Sequence, residues 1–329
     1  MNKEIHIAVI DSGLVTNLLC ETARICEYTT LHLKNQMDSN QWELEICRDG
    51  NPIETGEISH GTLVVNTVLK YTGDIPLAFH IYDVFDEKDA SAGSVLLEAL
   101  NMILKEDIDI VVMSLTCSSQ YENDFIELSG KLKEKNVLMF CSDSNDGRTH
   151  CPANLDFIYG VTGDKADASG RYTYEVGKKI QFHCDLSGEF VGDPGKYHFF
   201  VGTSKATAMV AGKLAKYLYE NGRNALIDYL SCDQEEWDAK TEEFDAGCVN
   251  SKLLSRYCEV VGIPEEICLE NMDTIIPWNQ DNIRTFTEFL KQFDLERDML
   301  HWHYSEFATV RKMMIACERR MKNASLDER

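Results

Sequence analysis

Gly202-Thr203-Ser204-Lys205-Ala206-Thr207-Ala208-Met209-Val210-Ala211-Gly212 is the stretch that decides the reading of this chain. A Gly-Thr-Ser turn runs at once into small residues that let a helix pack closely against its neighbours. A serine there sits at the positive end of the helix dipole, among backbone N–H groups that have no partner within the helix. Alone, the tripeptide reads as an ordinary helix cap. Its company changes that reading.

Upstream, Ile7-Ala8-Val9-Ile10-Asp11-Ser12-Gly13 is an apolar run ending in a carboxylate, which places Asp11 at the tip of a buried strand. Ser59-His60-Gly61-Thr62 precedes Leu63, Val64, Val65, Val68 and Leu69, an apolar helical pattern with His60 at its start. Each alone could be a turn cap or a plain helix terminus. Together an Asp, a His and a Ser, each beside Gly and Ser or Thr at the end of a strand or start of a helix, form the parts of a nucleophilic triad. The acid orients the imidazole, the imidazole takes the hydroxyl proton, and the serine attacks a carbonyl.

In the order Asp…His…Ser, these blocks resemble the subtilisin-like serine peptidases, the subtilase family. Four further blocks follow the same order. Val111-Val112-Met113-Ser114-Leu115 is similar to the family's strand ending in Ser-Leu-Gly, and Val137 to Gly147, containing Ser144-Asn145, to the strand leading to its Gly-Asn motif. Cys151-Pro152-Ala153 with Ile158 to Val161 resembles the next segment, and Phe244 to Asn250 resembles a late Tyr-Gly-x-Gly-x-Val-Asn segment. The resemblance implies that Asp11, His60 and Ser204 are catalytic. It also implies that Asn145 donates to the oxyanion together with the Ser204 N–H, and that Ser114, Leu115, Thr116, Ser142, Asp143 and Ser144 bind substrate. The implied activity is that of a serine endopeptidase.

The departures from the family pattern bear on specificity. Lys205 stands where Met is usual, Ala208 where Pro is, Leu63 replaces a second His, and Asn66 a Gly. Thr116 and Ser144 take positions usually given to Gly on either side of the pocket for the residue before the cut. They predict a narrow, polar pocket and restricted cleavage. Asp143 and Asp146 would favour a basic substrate side chain there, Arg148 and His150 an acidic one.

With 55 acidic against 32 basic residues the net charge is −23, which argues against nucleic acid or an anionic membrane as a partner. The expected partner is a peptide or protein substrate. No metal and no cofactor is expected: His301 and His303 are two apart and face different ways on a helix, and the family's calcium insertion after the histidine helix is not visible. No apolar run is long enough to span a membrane. The start of the chain leaves no room for a signal or inhibitory prodomain, either as a trimmed mature form or as an intracellular protein. The twelve cysteines contain no Cys-x-x-Cys pair, and Cys117, Cys141 and Cys184 lie in or beside apolar runs. That usage suits reduced, buried thiols and a cytoplasmic setting.

Strand-like runs at 5–10, 77–84, 108–115 and 136–141 alternate with helical patterns at 61–71, 92–105 and 123–135. This alternation predicts an α/β fold, a mainly parallel sheet with helices on both faces. Hairpin chemistry marks 165–203, and the serine helix is expected to end at Asn221-Gly222. The expected division is a catalytic domain over 1–261 and a helical extension over 262–329 packed on it, with amphipathic helices at 281–293 and 302–321. The functional expectation is a dedicated processing endopeptidase, such as one removing the leader of a ribosomally made peptide. A general degradative subtilase and a non-catalytic peptide binder are the alternatives.

Overall fold

A computed structural model describes residues 4–36, 41–48, 50–85, 92–144, 150–165, 170–235 and 249–327. The chain divides into two compact units, one over 1–164, 170–186 and 201–237, the other over 165–169, 187–200 and 238–329.

The first unit is built on a ten-stranded sheet. Its strands are β1 (Ile5–Asp11), β2 (Ile25–Gln36), β3 (Gln41–Cys47), β4 (Leu77–Asp83), β5 (Ile110–Met113), β6 (Leu138–Ser142), β7 (Tyr159–Asp164), β8 (Tyr172–Tyr174), β9 (Phe182–Asp185) and β12 (Gln234–Glu235). Their spatial order is β12-β8-β9-β7-β6-β5-β1-β4-β2-β3. The run from β9 to β2 is parallel, while β3, β8 and β12 pair antiparallel at the edges. β1, β5 and β6 are apolar on both faces because helices cover both, so Ile7, Val9, Val112 and Phe140 on one face and Ala8, Ile10, Val111 and Met139 on the other are all fully buried.

Its helices are α1 (His60–Thr72), α2 (Gly93–Ile103), α3 (Glu122–Glu134) and α4 (Thr203–Tyr229). The four central strands and three helices expected from the apolar rhythm are present within a few residues of their expected bounds. Within α4 the serine helix ends where expected: Gly222 leaves helical geometry at φ 82° and ψ 168°, and a second helical segment, carrying the buried Leu226, follows to Tyr229.

The second unit holds the antiparallel pair β10 (Glu189–Val191) and β11 (His198–Phe200), and α5 (Ser251–Val261), α6 (Glu265–Glu270), α7 (Gln280–Lys291), α8 (Tyr304–Phe307) and α9 (Val310–Asp327). Its core is aromatic: Phe190 lies 4.6 Å from Phe307 and edge-on to Trp278 at 5.1 Å, and Phe286 meets Trp302 at 5.4 Å. Leu253, Leu254 and Cys258 of α5 belong to this core, so the helical unit takes in α5, N-terminal to the expected start at 262. The helix expected over 302–321 is interrupted between α8 and α9. No helix among the described residues is long and apolar enough to cross a membrane.

Candidate active site

Asp11 ends β1, and its carboxylate is 1% exposed. His60 opens α1, whose cap is Ser59, with the Ser59 hydroxyl accepting from Thr62 N. The two motifs interlock through their small polar residues. Ser12 N donates to Asp11 Oδ1 at 2.7 Å, Gly61 N donates to Ser12 Oγ at 3.0 Å, and Val15 N donates to Thr62 Oγ1 at 2.8 Å. Gly61 must be glycine, since a Cβ there would lie 2.1 Å from Ser12 O. Held this way, His60 Nδ1 donates to Asp11 Oδ1 at 2.8 Å and Oδ2 at 3.0 Å. A carboxylate can only accept, so the Nδ1 proton is fixed and Nε2 is the nitrogen left to accept one.

Behind this loop lies a second layer that local sequence did not signal. Tyr28 OH accepts from Leu14 N at 3.3 Å and donates to Asp83 Oδ2 at 3.2 Å. Burial raises the Asp83 carboxyl above the usual carboxylate range, and raises the Tyr28 hydroxyl as well. A Cβ on Gly13 would lie 2.3 Å from Tyr28 OH, so the glycine of Asp-Ser-Gly is there to let this layer approach. Asn66, noted only as a departure, is buried and ties another loop to α1. It donates to Leu18 O and accepts from Cys20 N, both at 3.0 Å.

Ser204 is the second residue of α4, and within 203–212 it is the only residue not buried. α4 starts at the carboxyl end of β9, where Lys205 Nζ donates to Asp185 O at 2.8 Å. α1 starts at the carboxyl end of β1, and β1 and β9 belong to the same parallel run, so both helices begin at one edge of the sheet. They pack closely farther along, where a Cβ on Gly212 would lie 2.8 Å from Val68 O. From that contact His60 and Ser204 are each eight residues back toward the helix start, a rise of about 12 Å on either helix. The geometry therefore brings Asp11 and His60 into contact and carries Ser204 level with them at the same edge.

The remaining candidates follow adjacent strands. Ser114, Leu115 and Thr116 leave β5, with Leu115 buried and Thr116 exposed; Ser142 ends β6, and Asp143 and Ser144 follow it. The Asp143 carboxylate accepts from Ser144 N at 2.9 Å and from His150 N at 3.1 Å. Asn145, Asp146 and Arg148 lie outside the described residues. Cys117 and Cys151 pair across a short antiparallel bridge with their sulfurs 3.5 Å apart. All the described cysteines are free thiols.

A family model described as the subtilase family, Peptidase_S8, matches residues 2–228. The chain belongs to the subtilase family. Human membrane-bound transcription factor site-1 protease is 25% identical over 253 residues, covering 70% of this subtilase and 22% of that protein. The rat protein of the same name is 26% identical over the same extent, so this subtilase spans about a fifth of the length of the curated relatives it matches. Among solved structures, Sphericase aligns at 19% identity and a TM-score of 0.52 over 70% of this chain and 82% of its own. The S41 psychrophilic protease aligns at 18% and 0.50 over 70% and 83%. Both likenesses are of fold: the sheet order and covering helices described above are subtilisin-like.

Proposed function

We propose that this subtilase is an endopeptidase in which Ser204 is the nucleophile, His60 its general base and Asp11 the group that orients the imidazole. The observation that carries this reading is the Asp11–His60 pair, with both carboxylate oxygens on Nδ1, at the edge where Ser204 is the accessible residue of the otherwise buried stretch 203–212. Ser204 Oγ bonds to the substrate carbonyl carbon while its proton passes to His60 Nε2. The oxyanion is met by Ser204 N–H and by the Asn145 side-chain amide, a donor that carries no charge to desolvate. His60 then gives its proton to the leaving amine as the C–N bond breaks. Water, deprotonated by the same imidazole, releases the acyl group. Activity is expected to fall in acid, where a protonated imidazole has no lone pair to offer. Ser114 to Thr116 and Ser142 to Ser144 bind the peptide chain.

The finer role proposed is processing of one or few peptides, with leader removal from a ribosomally made peptide as the example. Its support is the pair Thr116 and Ser144, which put side chains on the pocket walls where family members carry glycine. One methylene in such a pocket shifts selectivity by about 1–3 kcal/mol. The free thiols favour a reducing, cytoplasmic setting. The test is labelling by a fluorophosphonate probe, wild type beside Ser204→Ala. Labelling that vanishes with the substitution supports the nucleophile, and a folded wild type that does not label turns the reading to peptide binding without catalysis. A proteome-derived peptide library then measures selectivity: frequent cuts after Phe, Tyr and Leu in unrelated contexts refute the processing role.

A further inference from the structure

Lys205 follows Ser204 directly and is fully buried. A buried ammonium is costly, and an unbranched apolar side chain such as the family's usual Met would fill similar space without that cost. Its geometry suggests what the cation supplies. Lys205 Nζ donates to Asp185 O at 2.8 Å, and Gly202 N donates to the next carbonyl, Leu186 O, at 3.2 Å. Those two acceptors are themselves held in the sheet region, since Asp185 N donates to Arg171 O at 3.2 Å and Leu186 N to Asp164 O at 2.8 Å. Ser204 thus lies between two tethers to consecutive carbonyls at the end of β9. The turn that precedes it needs this restraint, because Gly202 sits at φ 94°, a region where only glycine is relaxed and from which several backbone paths are open.

We infer that Lys205 is a positioning residue, which pins the first turn of α4 to the end of β9 and so fixes where the Ser204 hydroxyl stands. The inference rests on Ser204 being the nucleophile. Displacing a reacting group by about 1 Å can cost about a hundredfold in rate, so a tether one residue away is well placed to matter. The competing role is structural. Asp185 is also fully buried, and the Lys205 charge acts on the neighbouring Cys184 thiol, lowering it against the stronger effect of burial. Lys205 would on that view only balance the charge of this pocket.

Lys205→Met and the double variant Lys205→Met/Asp185→Asn separate the two roles. The double variant removes both charges and keeps both volumes. Positioning predicts that the double variant melts near the wild-type temperature, labels with the fluorophosphonate at least tenfold more slowly, and loses kcat on a peptide substrate with KM within twofold. Labelling within threefold of wild type in either folded variant overturns the inference, and so does failure of both variants to fold, which marks Lys205 as structural. A folded wild type that does not label removes the Ser204 reading and this inference with it. Wild-type labelling with an undiminished Lys205→Met removes this inference alone.

Discussion

In the α/β unit the buried polar side chains hold loops and helix starts in place. Asp11 grips His60, Thr62 holds Val15, Asn66 holds the 18–20 loop, and Lys205 reaches Asp185. In the helical unit the interior is aromatic, and one of the two buried carboxylates among its described residues, Glu306, is bound by Arg319, by Arg320 at 2.8 Å and by His303 N at 2.8 Å within its own unit. Buried polar groups cost stability unless each is satisfied. The helical unit also buries polar groups, Glu189, His198, Thr287 and Glu306 among them; what differs is that those of the α/β unit include the proposed catalytic groups and the residues that hold them. Stability and activity should therefore respond to substitution differently in the two units.

The largest expected effect is on turnover. Asp11→Asn, His60→Ala and Ser204→Ala should each lower kcat by about 10⁴ to 10⁶, and double substitutions should add little because the groups act as one device. A purified, folded single variant within tenfold of wild type would break the assignment. Next in size, Phe286→Ala in the helical core should cost about 3–5 kcal/mol by cavity formation, while fluorophosphonate labelling per folded molecule stays near wild type. Denaturant titration beside labelling reads both, and a large fall in labelling of folded protein would show that the contrast between the units is wrong.

Gly61→Ala should do both kinds of damage. The added methyl meets Ser12 O, so stability should drop by about 1–3 kcal/mol, and the shifted helix start should slow labelling as well. Loss of stability with undiminished labelling would mean that His60 does not depend on the interlock. The smallest effect concerns pH and lies in the helical unit. His198 is buried, accepts its place beside Gln280, and burial lowers it below the ordinary imidazole range. A depressed histidine is neutral in the fold but charges readily when unfolded. Its contribution is therefore present above the unfolded value and lost as pH falls through the folded one. Melting temperature should decline on acidification from pH 7, less steeply in His198→Gln; identical slopes would exclude His198 as the cause.

The central strands and the three motif blocks could be read from sequence because strands buried on both faces are continuous apolar runs, and a carboxylate at the end of one, or a histidine or serine at the start of an apolar helix, stands out. β2 and β3 could not. Ile25–Gln36 mixes charged, polar and apolar residues along its length, as a strand near a sheet edge is free to do. The depth of Lys205 was also hidden, since its partner is a carbonyl twenty residues away in sequence and the one-letter pattern says only that a cation follows the serine. Tyr28 and Asp83 escaped for the same reason: their contact with Gly13 is made through space. The helices at 281–293 and 302–321 showed in their aromatic spacing, but not the membership of α5 or β10 and β11 in that unit, which depends on which side chains share the core.

The common starting edge of α1 and α4 has an electrostatic consequence. Each helix presents the equivalent of about half a positive charge at its first turn, so two such ends lie at the sheet edge where Asp11 and His60 meet, inside a molecule whose net charge is −23. The far field thus repels anionic peptides while the near field favours negative charge on the reacting oxygen. Salt screens the first over about 10 Å at 0.1 M and reaches the second far less. Raising ionic strength should speed the capture of acidic peptides, slow that of basic ones, and leave the acylation step of a bound peptide nearly unchanged.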